Sequence, residues 1–600
     1  MSSTTDHGIE VREEPAPPEP GESRTEQQTR DIPSLLTLLF EGHLPEELVF
    51  PFPEIPKQER ETLDVLASSV DRFLKGRVDP AQIDRHAEIP EEVLSEFQEL
   101  GLFGLLVPEE YGGLDLSQAA YTQVLARIAG HCASTAATVG AHSSIGIKSI
   151  LLFGSEEQKT KWLPELASGE KIGAFCLAEP GSGSDAGSIQ TRAEPQSDGS
   201  WILNGSKIWV TNRGIGGLYT VFAVTPAPGR WRRGKPHHAC FIVDRSDAGL
   251  TVGPEEEKLG LRGSSTTTLT FEDVHLPADR LVGEDGKGFK IALEILASGR
   301  LGLAGGCCGS ARKLLADALE QAKTRQQFGQ SIASFELIQQ KLSKMATELY
   351  GMESLVYLVS GIADQRRCGA KSSRTALEAA AAKVYCTERL WETAHEALQI
   401  AGGNGFMREF PYERALRDAR VNMILEGTNE ILRIMMALGA LKSPGKTLSW
   451  ALKGMKKVAG FLPSIGKLIR MHFGPLPRFT CPIKDNEEAK DLWDQVETCL
   501  RALPLAARQV LFRHGKRILD AQEVLGILAD LSMEALVALA TFSRTFRLPE
   551  PLESELLLCK AAIEDRTASV QSLLRKLRRI RGRRNKALVN WLLLHEGDQP

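Results

Sequence analysis

The apolar residues of this chain repeat with a helical period, then with a period of two, then with a helical period again. That double switch limits the fold more than any other feature. Across residues 58–171 the pattern is helical, as where Val93, Leu94, Phe97 and Leu100 follow Glu91 and Glu92 and precede a stop at Gly101. Between residues 172 and 281 the period moves toward two. Trp201, Ile202 and Leu203 stand before Asn204 and Gly205, and Lys207, Ile208, Trp209 and Val210 after them, which predicts a hairpin turning at Asn204 and Gly205. Residues 239–243 and 267–271 read as further strands. From about residue 288 to 440 helical segments return, including the alanine-rich stretch 377–384. The expectation is a mainly α chain with a central β domain.

A chain of 600 residues with 42% hydrophobic and 25% charged residues can hold several cores. Its net charge of -5 is small for this size and argues against a nucleic-acid partner. The ten cysteines show no Cys-x-x-Cys spacing, and Cys307 and Cys308 are badly arranged for zinc, so no metal site is expected. Residues 1–30 are rich in Glu, Pro, Ser and Thr and read as a disordered acidic tail, unlike an Arg-rich transit peptide. No continuous apolar run reaches the roughly eighteen residues of a membrane-spanning helix. These features point to a cytoplasmic protein, fitting a bacterial source.

Beyond Ala440 the charge pattern becomes one-sided. From Ile431 to Lys484 there is no Asp or Glu, while Lys442, Lys446, Lys453, Lys456, Lys457, Lys467, Arg470, Arg478 and Lys484 all occur. Trp450, Leu452, Met455, Val458, Phe461, Leu462, Ile465, Leu468, Ile469 and Phe473 suit an apolar face opposite these charges. Such a segment can lie on an anionic membrane surface, or pack as a basic helical hairpin on the protein's own body. Gly454, Gly460, Pro463 and Gly466 interrupt it. Residues 486–594 are helical again, and the basic run 575–584 reads as a solvated helix end.

Glu426 sits where a catalytic base would be placed. Met423, Ile424 and Leu425 precede it, Gly427 follows, and Thr428 and Asn429 open an apolar helical run. Desolvation would raise its pKa toward the value a general base needs, Gly427 would admit a substrate to the main chain, and Thr428 offers a hydroxyl. The same residues also suit simple helix capping.

Four blocks occurring together go further. Residues 175–185 (with Phe175, Leu177, Ala178, Glu179 and Ser184), residues 204–212 (with Trp209 and Thr211), residues 399–406 (with Gln399, Gly402 and Gly403) and the Glu426 segment resemble the acyl-CoA dehydrogenase flavoproteins. The resemblance runs from about residue 49 to 440. The subgroup is that of the very-long-chain enzymes and their complex I assembly-factor paralogue, which share the 49–54 entry and a C-terminal extension. It implies the acyl-CoA dehydrogenase fold: an N-terminal helical domain (31–171), a β-barrel domain (172–285) and a four-helix-bundle domain (286–440). A basic membrane-apposed segment (441–485) and a C-terminal helical domain (486–600) would follow. It also implies FAD, since no side chain accepts a hydride, with Glu426 as the base for the α-proton of an acyl-CoA.

The remaining roles follow from the resemblance. Phe175, Leu177, Ala178, Ser184, Trp209 and Thr211 would hold the flavin, with Thr428 and Asn429 beside it and Ser184 also near CoA. Trp209 and Thr211, two apart on a strand, would share a face, although a tryptophan buried in the sheet is the alternative. Ala178 departs from the family's usual threonine and removes one hydroxyl contact. Arg325, Gln327, Phe328, Phe335, Gln399, Gly402 and Gly403 would reach the FAD of a neighbouring subunit, implying a homodimer. Ala297, Gly299, Arg300 and Gly427 would contact substrate. Gly146 and Ser149 either deepen the acyl tunnel or reflect tight helix packing. The implied partners are a long-chain acyl-CoA and an electron-transfer flavoprotein. An acyl-CoA oxidase or a scaffold on the same fold are the competing functions.

Overall fold

The computed structural model describes residues 33–212, 214–226, 237–367, 375–454, 474–580 and 589. The acidic tail and the centre of the basic segment, 455–473, lie outside the described residues, and so does most of its expected apolar face.

The first layer is helical: α1 (Lys57–Arg77), α2 (Glu91–Glu99), α3 (Gln118–His131), α4 (Ala133–Gly140), one π-helical segment (Ala141–Gly146), α5 (Lys148–Phe153) and α6 (Glu156–Ala167). Helix α2 stops where its spacing predicts, with Gly101 at φ +69°. Its buried Phe97 meets Phe73 of α1 edge to face at 5.8 Å. A reciprocal cap starts α6, Gln158 N–H donating to Ser155 Oγ and Ser155 N–H to Gln158 Oε1.

Eight strands follow: β1 (Gly173–Cys176), β2 (Arg192–Pro195), β3 (Trp201–Thr211), β4 (Leu218–Val224), β5 (His238–Asp244), β6 (Leu250–Glu255), β7 (Thr266–Leu276) and β8 (Leu281–Val282). They pair in the order β6-β7-β3-β2-β4-β5-β8, with β1 parallel to β4. The hydrogen-bonded path does not join β8 back to β6, so the expected barrel is open at that seam among the described residues. One apolar cluster nevertheless unites Leu269 and Val274 of β7 with Phe241 and Val243 of β5, strands far apart in that order. The sheet therefore folds over its own core. The hairpin expected at Asn204 and Gly205 is absent. Both lie inside β3, where the register shifts and Gly205 takes φ +142°. A side chain at Gly205 would stand 2.7 Å from Thr191 Cα, so the glycine serves a bulge and close approach. The chain instead reverses between β2 and β3, where Gln196 N–H donates to Ser200 O.

The last layer contains α7 (Gly288–Thr324), α8 (Glu336–Arg367), α9 (Ala376–Ala401) and α10 (Asn429–Gly454), then α11 (Glu487–His514), α12 (Gln522–Thr545) and α13 (Glu553–Arg579). Helix α10 runs past residue 440, where the bundle was expected to end. One continuous core spans the bundle and α11–α13. Leu35, Leu36, Leu39, Phe40, Val49 and Phe52 join that core as well. That early stretch, assigned by chain order to the N-terminal helical domain, packs instead on the C-terminal helices. Leu36 N–H donates to Glu378 Oε1 and the Ser543 hydroxyl to Val49 O.

Three helices, Ala133–Phe153, Gly288–Thr324 and Gln522–Thr545, are long and apolar enough to cross a membrane, a composition that a search for unbroken apolar runs overlooks. Each is buried over two thirds or more of its apolar window within the protein. Among the described residues no group of three His, Cys, Asp or Glu is placed to hold a metal, and all nine cysteines are free.

Candidate active site

Glu426 occupies a turn between a short 3-10 segment (Val421–Met423) and α10. It adopts φ +56° and Gly427 φ +95°, a conformation that strains a residue with a side chain and persists only where the surroundings impose it. Two buried cations impose it from neighbouring helices. Arg300 Nε of α7 donates to Glu426 O at 3.2 Å, and Lys383 Nζ of α9 donates to Gly427 O at 3.0 Å. Thr428 Oγ1 accepts from Ile431 N–H, so the capping reading also holds for this turn.

The carboxylate has one oxygen, Oε2, shielded from solvent and without a hydrogen-bond partner. Burial pushes its pKa up to about 7, against the opposing pull of Arg300 and Lys383. Gly299 is required here. A side chain at that position would stand 2.9 and 3.0 Å from the two carboxylate oxygens and 2.6 Å from Ile145. Ala297 and Arg300 are buried on the same helix. Tyr121 of α3 reaches the same region. Its hydroxyl is buried without a partner, and burial raises its pKa.

Phe175, Leu177 and Ile145 pack in one apolar cluster, so the end of β1 approaches the helix surface beside Gly299. Ala178 O accepts from Ile208 N–H at 3.0 Å, joining the loop after β1 to β3. A buried ion pair locks that junction: Lys207 Nζ donates to Glu179 Oε1 at 2.7 Å and to Leu177 O at 3.0 Å. Sequence reasoning named Glu179 and Lys207 within their segments but gave a role to neither, nor to Lys383. For Lys383, a lysine between apolar neighbours on an alanine-rich helix was the available signal.

Trp209 is not a core residue. A second register shift in β3 gives it φ +53° and leaves it 64% exposed, so simple alternation does not describe how Trp209 and Thr211 are presented. Ser184 is exposed, and side chains added at Gly181 or Gly183 would meet open space. Gly146 and Ser149 belong to packing. A side chain at Gly146 would stand 2.6 Å from the Gly173 backbone, and Ser149 Oγ lies 2.6 Å from Thr220 Oγ1.

The residues expected to reach a neighbouring subunit lie on exposed ground. Arg325 ends α7, Gln327 and Phe328 form a small hairpin, and Phe328 is 93% exposed at φ +53°, edge-on to Phe335 at 6.0 Å. Gln399, Gly402 and Gly403 lie at the exposed end of α9, and side chains added at either glycine meet nothing. Asn429, by contrast, is buried and bonded to Lys383, Thr387 and Glu388, so its side chain is committed to the protein interior. An uncovered indole beside a knitted loop, and glycines with open space above them, fit a flavin with a long phosphate-bearing tail.

The comparisons with known proteins agree. The family models for the acyl-CoA dehydrogenase N-terminal, middle and C-terminal domains match residues 60–170, 174–274 and 286–441. The human mitochondrial very long-chain specific acyl-CoA dehydrogenase is 38% identical over 516 residues, covering 85% of this chain and 78% of that one. An acyl-CoA dehydrogenase of Bacillus subtilis is 40% identical over 62% of this chain and 96% of its own. The crystal structure of an acyl-CoA dehydrogenase complexed with FAD from Bacillus anthracis superimposes with a TM-score of 0.75 and 32% identity, covering 90% and 91% of the two chains. This chain belongs to the acyl-CoA dehydrogenase family and is an FAD-dependent oxidoreductase acting on acyl-CoA.

Proposed function

We propose that the protein dehydrogenates long- or very-long-chain acyl-CoA to the trans-2-enoyl-CoA, with Glu426 as the base. The observation that carries this reading is the Glu426 carboxylate. It is shielded, raised to about 7, free at Oε2 and closely faced by Gly299, where any side chain would press on its oxygens. FAD, when bound, supplies the acceptor for the β-hydride. The chain's own residues do the rest. Glu426 takes the α-proton, and Gly299 and Gly427 let the thioester approach. Phe175, Leu177, Ala178, Trp209, Thr211 and Thr428 are the proposed flavin contacts. Asn429 serves the site from behind, through its bond to Lys383.

Preference for long chains rests on similarity to the very long-chain enzymes over most of both lengths. We also propose a homodimer using the exposed Phe328 and Gly402 surfaces, an electron-transfer flavoprotein as acceptor, and contact of residues 441–485 with the inner face of a bacterial cytoplasmic membrane.

Anaerobic mixing of the flavoprotein with palmitoyl-CoA tests the central claim. Rapid bleaching of flavin absorbance in the wild type and not in Glu426→Gln is expected; no bleaching with any acyl length overturns it. Peroxide formation without an added acceptor would convert the assignment to an oxidase. Salt-sensitive liposome binding that disappears on deletion of residues 455–473 is expected for the membrane claim.

A further inference from the structure

Lys383 is fully buried in the N-terminal third of α9, in a stretch where its neighbours Ala379, Ala380, Ala381, Ala382 and Val384 are core residues. A lysine there carries a heavy desolvation penalty unless its ammonium is well used. Lys383 Nζ donates to Gly427 O at 3.0 Å and to Asn429 Oδ1 at 2.9 Å, both in the segment that carries the candidate base. Asn429 passes the connection outward. Its amide donates to Glu388 Oε1 at 3.1 Å. Glu388 receives Arg433 in a two-pronged pair at 2.7 and 2.8 Å, and Arg433 Nε donates to Asp530 Oδ1 of α12 at 2.8 Å.

We propose that Lys383 is a positioning residue for the reaction: it holds the Glu426 and Gly427 turn in its left-handed conformation, and is itself braced through Asn429, Glu388 and Arg433 by Asp530 of the C-terminal helical domain. This rests on the reading of Glu426 as the base. The charged and titratable groups facing Glu426 are Arg300 and Cys307 from α7, Lys383 from α9 and Tyr121 from α3; those facing Lys383 are Glu426, Cys307, Arg300 and Glu388. Burial lowers the Lys383 pKa to about 8, which leaves it the cation near neutrality. Arg300 grips the Glu426 carbonyl and Lys383 the Gly427 carbonyl, so the two hold different points of the turn.

Lys383→Met removes charge and donor at similar length. With FAD content and Tm checked first, the expected result is a kcat about 100-fold lower and an acidic limb of kcat/KM displaced upward by about one pH unit, because a lost cation no longer favours the carboxylate. Lys383→Gln, which keeps a donor, should recover part of kcat and none of the limb shift. Glu426→Gln is run in parallel. If it keeps turnover, the base assignment fails; if it is dead while Lys383→Met matches the wild-type profile, the role of Lys383 alone is overturned. Should neither lysine variant retain FAD, Asp530→Asn at the half-exposed outer end decides: a several-fold lower kcat at unchanged KM supports the brace, and wild-type kcat overturns it.

Discussion

A carboxylate that must ionise near neutrality makes activity a direct report on its surroundings. Burial raises Glu426 to about 7, and the base must be deprotonated to act, so kcat/KM should fall about tenfold per unit as pH drops below 7 and level off above it. A pH-rate profile checks this. Glu426→Gln, which keeps the shape and removes the base, should lower turnover about 10³-fold with FAD retained, read by flavin absorbance and steady-state rate. Gly299→Ala should also cost activity, since the new methyl would press on both carboxylate oxygens and on Ile145. Its signature is a reduced kcat at near-normal stability.

Among the elements, the bulged strand β3 does most to arrange the flavin side of the site. Its second register shift exposes Trp209, while Lys207, two residues away, is buried against Glu179. Burial pushes the Glu179 carboxyl up, yet Lys207 and the Gln190 and Thr191 amides outweigh it and hold the group below its ordinary value. A depressed carboxyl contributes stability at pH above its ordinary 4.5 and loses it as pH falls through the folded value. Glu179→Ala, which strands a buried lysine, should cost about 3–5 kcal/mol and weaken FAD retention, measurable by denaturant titration and flavin release. The order of helix, strand and helix was legible from hydrophobic period, and the candidate site was named from four motifs together. Asn204 and Gly205 misled because the pair that favours a two-residue turn also suits a bulge, and only the partner Thr191 decides between them. The location of Leu35 to Phe52 was equally hidden, since periodicity identifies an apolar face and not the surface that covers it. Lys383 and Asp530 share a path built from five residues on three helices, which no local pattern displays.

For the molecule as a whole, the joint between bundle and C-terminal helices is ionic at its centre. Arg566 of α13 bonds Glu348 of α8 at 2.7 Å and Tyr385 of α9 at 2.7 Å, and lies 3.2 Å from Glu534 of α12. Burial lifts Glu534 to about 7 against the pull of Arg566, while for Glu348 the Arg566 and Arg389 charges overcome burial and lower it. Arg566→Met should therefore destabilise by about 3–5 kcal/mol, visible in chemical denaturation, by leaving two acids facing each other in the core. The apolar faces of α8 and α9 around this joint predict that a chain cut after residue 454 aggregates. The packing of Leu35, Leu39 and Phe40 against helices made hundreds of residues later bears on how the protein is born. Contacts such as Leu36 to Glu378 and Val49 to Ser543 span 342 and 494 positions. The turns carrying Leu35, Leu39 and Phe40 stay with their apolar side bare until helices made hundreds of residues later have left the ribosome, which predicts chaperone capture during synthesis.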